Sequence, residues 1–431
     1  MDCKYASYWW DESPLADRSA VELPDRCDVL IVGAGYTGLC AAIELAAAGR
    51  HCVVVDAEQP GAGCSTRNGG QISSSIKPGY AALARRYGPE LGSRIMNAGH
   101  ESLFWIEDFI KQQNIDCAFQ RCGRFYGAHT PGIHASLASR LQDQPPGVTL
   151  HADVVSRDEQ HRYIDSDQYH GGIIYHDHCS LDPGRYHRGL LANAESNGVL
   201  VAANTRVLKL HRCGNGQPAA SAAFTASTSR GDITANKVII ATNGYTDGLM
   251  PWVRRRVIPI GSYMIATDVL SEATVDRLIP SQRVITDSRK LVVYFRPSPD
   301  NTRILFGARV SITETDAARA VEPLRQQLAE RFPELNSVGV SHAWMGFVAY
   351  TFGELPHYGE HDGVHYALGY CGSGVSLSSF CGVHVARQIL GTDTSEAFAK
   401  NAFEQRFYYR RKPWFLAPSI AWYRFRDSHR S

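Results

Sequence analysis

The first patterned stretch of the chain is Asp28-Val-Leu-Ile-Val-Gly33, an apolar run of strand length that stops at glycine, and it is followed by an Ala- and Leu-rich helical stretch over Leu39–Ala48. Gly49-Arg50 ends that helix, and Cys52-Val-Val-Val-Asp56 reads as a second short buried strand finishing in a carboxylate. Helical periodicity returns over Ala81–Arg86 and Ala98–Gln113, with Leu103, Ile106, Phe109 and Ile110 on one face, and a polar helix is predicted over Ile133–Leu141. Strand-like pieces are predicted around Phe125–Gly127; Gly172–Tyr175 leads into Leu181-Asp182-Pro183 and a helix over Tyr186–Ser196, followed by strands over Gly198–Ala202 and Arg206–Leu210. Between Cys213 and Asp232 the composition predicts a hairpin with a solvated turn, and Lys237–Ala241 is a buried strand. Ile260–Asp268, Leu291–Arg296 and Arg303–Val310 alternate as in an antiparallel sheet, backed by a helix over Ala317–Phe332 that carries Leu324 and Leu328. A last strand from Tyr366 enters a glycine-rich turn and a helix that runs through Leu390.

The order strand, glycine turn, helix, strand, acid carries chemistry. In Gly33-Ala-Gly35-Tyr36-Thr37-Gly38 the first glycine permits the turn, the second lets backbone approach a pyrophosphate, and the third lets helix pack on strand. The helix N-terminus offers free N–H groups and the positive end of its dipole to the anion. Asp56 lies 23 residues after Gly33, close to the spacing at which an acid accepts from adenosine ribose hydroxyls. A dinucleotide site is expected; FAD and NAD share this much of the pattern.

Composition narrows the class. With 431 residues, 44% of them apolar, 20% charged and a net charge of +1, the chain is a folded protein and not a polyanion binder. Arginine outnumbers lysine 36 to 8, which decides nothing about function, and Arg254-Arg255-Arg256 reads as a solvated charge run. The eleven cysteines contain no Cys-x-x-Cys pair, and the chain lacks an export-signal pattern and an apolar stretch of membrane-spanning length, so a soluble cytoplasmic protein is expected. Neither His176-Asp-His178-Cys179 nor His357, His361 and His365 has ligand spacing, and no metal is expected. The tail over Phe403–Arg430 mixes Arg406, Arg410, Arg411, Lys412, Arg424 and Arg426 with aromatic residues; a docked helix with a solvated basic face is expected there, in preference to nucleic-acid or membrane contact.

The loop Gly61-Ala-Gly63-Cys64-Ser65-Thr66-Arg67-Asn68-Gly69-Gly70-Gln71 points further. It resembles the FAD-dependent amine and amino-acid oxidoreductases that include D-amino-acid oxidase, sarcosine oxidase and glycine oxidase, and its Ser-x-Arg-Asn-Gly-Gly form most resembles the γ-glutamylputrescine oxidoreductase branch. Tyr370-Cys371-Gly372-Ser373-Gly374-Val375 likewise resembles the family's carboxyl-terminal flavin motif, with Cys371 where serine is usual. The resemblance implies an α/β fold: a Rossmann-like FAD-binding domain of glutathione-reductase type, discontinuous over 1–83, 181–246 and 351–431, with an interleaved α+β substrate domain over 84–180 and 247–350 built on a mostly antiparallel sheet. It implies cofactor contacts from the residues of both motifs and from Ala57, Val207, Thr242, Asn243, Gly244 and Gly346.

For the reaction, the resemblance implies hydride removal from a C–N carbon of a small-molecule amine, of γ-glutamyl-polyamine or amino-acid-derived type, with O2 as the expected acceptor. Trp344-Met-Gly346-Phe-Val-Ala-Tyr350-Thr351 resembles the segment beside the flavin ring, so Trp344 and Tyr350 are candidates for an aromatic wall; core positions are the alternative. Tyr263 and Arg296 are candidates for a substrate carboxylate, an ordinary salt bridge being the other reading of Arg296. Val348 and Asn68 stand where some relatives carry flavin-linking Cys and His, so FAD is expected to be non-covalent. Leu305 stands where some oxidases place a lysine that promotes reaction with oxygen, and Lys290 is the nearest substitute. Two alternatives stay open: a D-amino-acid or N-methyl-amino-acid dehydrogenase using another acceptor, and a flavin-containing binding or biosynthetic protein without net amine oxidation.

Overall fold

The computed structural model describes residues 3–429 apart from 19–20, 75, 214–222, 310–314 and 411–412. The centre of the predicted hairpin turn, Val310, and Arg411, Lys412 and Arg430 of the tail lie outside the described residues. Two eight-stranded sheets organise the chain.

The first sheet has a parallel core in the order Val364–Leu368, Gly231–Ile240, Arg26–Val32, Cys52–Val55, Leu200–Ala202. Val, Ile and Leu fill these strands because parallel strands covered on both faces need apolar residues at successive positions. Val207–Arg212 and Phe224–Thr228 extend it as an antiparallel meander, and His357–His361 pairs antiparallel at the other edge. The helices Tyr36–Ala47, Pro89–Gln112, Pro183–Ser196 and Gly374–Leu390 share one apolar core on one face of the sheet. The third of these is started by Asp182, whose carboxylate accepts from the N–H groups of Gly184 and Arg185 at 2.8 and 3.0 Å. Gly391, left-handed at φ 74°, ends the last one.

The second sheet runs Val340–Thr351, Val257–Thr267, Ile304–Ala308, Tyr294–Pro297, Val284–Asp287, Arg124–Gly127, Gly172–Tyr175, Ala152–Val155. Every adjacent pair is antiparallel except Val284–Asp287 with Arg124–Gly127. One face packs on the helix Ala317–Arg331 through Phe295, Phe306, Leu324 and Leu328. The other face looks toward the glycine turns of the first sheet.

Three expectations change. The helix expected over Ala98–Gln113 begins at Pro89, because Pro89 sits at the first helical position behind Gly88 at φ 86°, and Gly92 and Gly99, which weaken propensity, serve close packing against Ala84 and Ile76. Its core-facing residues join the first sheet's helical layer, although the sequence grouped this segment with the substrate domain. The polar helix over Ile133–Leu141 is two short helices, Pro131–Ala135 and Leu137–Gln142, meeting at Ser136, whose hydroxyl donates to Ile133 O at 2.7 Å. The arginine run is also engaged: Arg254 donates to the Tyr409 hydroxyl at 2.9 Å, and the Arg256 guanidinium lies 3.9 Å from the Trp252 ring centroid while donating to Phe403 O. Among the described residues, no helix is long and apolar enough to cross a membrane, and no group of three or more His, Cys, Asp or Glu side chains is placed to hold a metal.

Candidate active site

The dinucleotide turn closes the first strand with Gly33 at φ 110°, where an added Cβ would come 2.9 Å from Ala241 O. Gly38 is tighter still: a Cβ there would stand 2.0 Å from Gly33 O, so this glycine sets the contact between helix and strand. Asp56 ends the next strand, and its carboxylate accepts from Ala34 N at 2.8 Å and Glu58 N at 3.0 Å. Burial raises its pKa while these N–H groups pull it back, and each oxygen keeps a lone pair for a donor from the cavity.

Beneath the turn, the buried ring of His187 bonds Ala34 O through Nε2 at 2.8 Å, and burial lowers its pKa to about 4. His357, also buried, is lowered to about 3. An unfolded imidazole titrates near ~6.5, so between that value and the folded ones the unfolded chain binds more protons. Stability is therefore expected to fall as the pH drops from about 6.5 towards 4, by several degrees of Tm in calorimetry, with a shallower slope in His187→Gln.

The loop over residues 61–71 is tied by its own side chains. Asn68 donates through Nδ2 to Cys64 O and Ser65 O and accepts from Gly70 N, and Arg67 donates to Ala62 O and Met345 O. Support also comes from a segment that no motif marked. Trp9 Nε1 donates to Asn68 O at 2.8 Å, Trp10 Nε1 to Thr66 Oγ1 at 2.8 Å, and Ser7 Oγ to Thr66 O at 2.7 Å. The adjacent aromatics Tyr8, Trp9 and Trp10 were the available signal. Trp9 is fully buried, so Trp9→Ala is expected to cost about 3–5 kcal/mol by denaturant melts and to weaken flavin retention on gel filtration.

The carboxyl-terminal turn places Cys371 at φ 51° and Gly372 at φ 97°. The Cys371 thiol donates to Gly369 O at 3.1 Å, and burial pushes its pKa up to about 11, so it is a packed thiol at neutral pH. Asn243 Oδ1 accepts from Gly369 N at 3.0 Å and joins the 242–244 segment to this turn. A Cβ on Gly372 would meet nothing nearer than the Tyr350 hydroxyl at 3.6 Å, which leaves its open side to the cavity.

That cavity, about 1080 Å³, runs between the two sheets. From the dinucleotide end it is lined by Gly33, Gly35, Tyr36, Thr37, Asp56, Ala57, Val207, Thr242 and Asn243. Ser65, Arg67, Asn68, Gly69, Gln71, Gly346 and Tyr350 line its middle, with Gly372, Ser373, Gly374 and Val375 at the second turn. Gly38, Thr66, Gly70 and Gly244 stand behind the wall as packing residues: Gly70 at φ 65° lies against Leu181 O, and a Cβ on Gly244 would come 2.9 Å from Phe347 O. Lys290 lines the cavity where its backbone N–H and that of Leu291 donate to the Asp427 carboxylate, both at 3.2 Å.

Three substrate-side candidates are not on the wall. Tyr263 is one residue out of phase, because strand side chains alternate; it is buried against the helix Ala317–Arg331, while Ser262 takes the cavity face. Arg296 is buried, donating to Pro297 O, Leu181 O and Gly70 O, with its guanidinium 5.9 Å from the Trp9 ring centroid. These bonds brace the loop over residues 61–71, and among the described residues no carboxylate forms an ion pair with Arg296. Trp344 donates to Arg67 O at 2.9 Å and packs with Trp9, Met264 and Leu305 below the loop.

Residues without a motif line the cavity in this region. Tyr294 lies against Gly69, an added Cβ there coming 3.1 Å from its ring, and its hydroxyl bonds the Ser262 hydroxyl at 2.9 Å. Lys77 Nζ is 5.3 Å from the Tyr350 ring centroid. Burial works against its charge, but Tyr350, Cys371 and Glu354 outweigh that and hold its pKa above the ordinary value. The helix Leu416–His429 contributes Leu416, Ser419, Ile420, Tyr423, Arg426 and Asp427 to the wall, so the expected docked helix closes the cavity.

Two glycine turns opening helices, an acid at the end of the second strand and on the cavity wall, and an open face at Gly372 fit a flavin dinucleotide. The family profile described as FAD dependent oxidoreductase (DAO) matches residues 28–388, and the chain belongs to this family. It is 31% identical over 433 residues to the probable oxidoreductase OrdL of Rhizobium meliloti (strain 1021), covering 97% of each chain. It is 30% identical over 380 residues to the gamma-glutamylputrescine oxidoreductase of Escherichia coli (strain K12), covering 86% of each. In fold it matches glycine oxidase from Geobacillus kaustophilus with a TM-score of 0.74 at 19% identity, over 89% of this chain and 100% of that one.

Proposed function

We propose that the protein oxidises the C–N bond of a primary or secondary amine, γ-glutamyl-polyamine-like or amino-acid-derived, using dissociable FAD. The observation that carries this reading is a continuous cavity that joins the dinucleotide turn to the polar face of the second sheet. FAD, when bound, supplies the hydride acceptor at N5. The first sheet's turns would hold it: Asp56 would accept from the ribose hydroxyls, the N–H groups opening the helix Tyr36–Ala47 would donate to the pyrophosphate, and Gly372–Val375 would leave room for the ring. Tyr294 and Tyr350 flank the reacting carbon and exclude water, which favours the neutral amine that loses the hydride. Water then adds to the imine, and the C–N bond breaks to release a carbonyl compound together with ammonia or the remaining amine.

Non-covalent attachment is supported by Val348 on the wall and by Asn68, whose amide is bonded into its own loop. A cytoplasmic setting is supported by eleven unpaired cysteines, most of them buried as small apolar groups. O2 is the proposed acceptor. A dehydrogenase using another acceptor is the second reading, favoured by Leu305, which is buried with Trp9 and Trp344 and puts no lysine on its strand.

Acid precipitation of the purified yellow protein should leave all FAD in the supernatant. Anaerobic mixing with γ-glutamylated polyamines, D-amino acids and N-methyl amino acids should bleach the flavin with at least one class, and admission of air should restore the colour. A colourless protein, or a flavin that no amine bleaches, overturns the proposal; bleaching without recovery in air selects the dehydrogenase.

A further inference from the structure

Residues 403–431 carry seven arginine and lysine residues against two acids, and nine of these 29 residues are aromatic. In a chain of net charge +1, cations and rings are thus concentrated in one place. Among the described residues, six of the thirteen large apolar side chains left exposed lie here, including both exposed tryptophans, Trp414 at 66% and Trp422 at 58%. Scattered exposed rings are ordinary, but their gathering on one element marks an interaction surface.

The helix Leu416–His429 has two faces that are not solvated in the ordinary way. Leu416, Ser419, Ile420 and Tyr423 recur at helical spacing and line the cavity. Pro418, Trp422 and Phe425 recur on the opposite face, all exposed, and Trp414 continues their spacing just before the helix. The Trp422 and Phe425 rings stack with centroids 5.9 Å apart. By the same spacing Arg424 and Arg426 fall on the two flanks, and Arg410 is exposed in the segment that leads to Trp414. The helix docks as its sequence implies, but its outer face is aromatic with arginine at the margins, and it is not a purely basic face.

Rings facing outward between flanking guanidinium groups suit a lipid interface, where the rings enter the boundary of headgroups and acyl chains and the cations meet phosphates. A second copy meeting this face about a two-fold axis would set arginine against arginine. Single-stranded nucleic acid stacks its bases on separate rings, whereas Trp422 and Phe425 are stacked on each other.

We propose that the outer face of the helix Leu416–His429, with Trp414 and Arg410, docks on an anionic lipid surface and lies in the headgroup layer without crossing it. This goes beyond the amine-oxidation reading and does not rest on it. A helix is about 10 Å across, so docking holds the cavity wall one helix diameter from the headgroups.

The test sediments the FAD-loaded, full-length protein with vesicles of phosphatidylcholine alone and of equal parts phosphatidylcholine and phosphatidylglycerol. Binding to the anionic vesicles is expected to exceed binding to the neutral ones by at least about 10-fold and to weaken as salt is raised. Trp414→Ser and Trp422→Ser should each lower it by roughly 10-fold and Arg410→Gln by about 5-fold. Val269→Ser, which removes an equally exposed apolar side chain elsewhere, should leave it unchanged. All four side chains are solvent-facing, so the variants should keep the native flavin absorbance and Tm. Brominated lipid should quench tryptophan emission in the native protein and less so in Trp422→Ser. Absence of binding to either vesicle, equal binding to both, or binding untouched by Trp422→Ser overturns the proposal. A dimer that Trp422→Ser abolishes, without vesicle binding, would assign the face to a second copy; tighter retention of oligothymidylate than of anionic vesicles, lost in the same variant, would assign it to nucleic acid. Either result also overturns it.

Discussion

Gly38→Ala is expected to leave a protein that purifies without flavin and melts at least about 5 °C lower, an overpacking cost of roughly 3 kcal/mol or more. The added methyl would stand 2.0 Å from Gly33 O, and both partners are main chain, so no side chain can swing aside. Relief requires the helix Tyr36–Ala47 to move off the first strand, and that movement withdraws its N-terminal N–H groups from the pyrophosphate position. Gly248→Ala is the control, because a Cβ there meets nothing within 4 Å and no unusual φ is involved. Flavin absorbance per polypeptide and Tm read both variants; normal flavin content in Gly38→Ala would remove the dinucleotide turn from the proposed site.

The second large effect concerns the carboxyl-terminal helix. Removing residues 413–431 is expected to lower kcat/KM by roughly 10- to 100-fold while FAD content stays near one per chain, since that helix forms the outer wall and contributes nothing to either glycine turn. Iodide quenching of the flavin should rise as the cavity opens. Asp427→Ala, which cuts the two bonds to the Lys290 and Leu291 N–H groups, should move both measurements in the same direction by a smaller amount. Unchanged quenching in both variants would show that the helix does not guard the cavity.

The first sheet was legible because parallel strands buried on both faces write themselves as unbroken apolar runs, and because the glycine turns have a spacing fixed by the pyrophosphate. The second sheet's cavity face was not. Tyr263 was chosen where Ser262 faces the cavity, an error of one position that strand alternation converts into the opposite face. Arg296 and Tyr294 share a face, yet the loop carbonyls at Gly70 and Leu181 cover only the arginine. That contact joins residues more than a hundred positions apart, and no local pattern records it. Lys77, which lines the cavity beside Tyr350, was passed over for the same reason, being an ordinary surface residue in its own segment.

The loop that carries Asn68 and Gly69 is braced from below by Trp9, and the segment holding Trp9 is itself pinned where Lys4 exchanges backbone hydrogen bonds with Ser341 and Ala343. The central strand Arg26–Val32 reaches Val364–Leu368 through Gly231–Ile240. During synthesis, then, the segment around Lys4 and Trp9 waits for residues 341–343 before the flavin cradle can close. Flavin uptake should lag behind collapse of the apolar core, which makes the yellow colour of the protein a gauge of whether these distant segments have met.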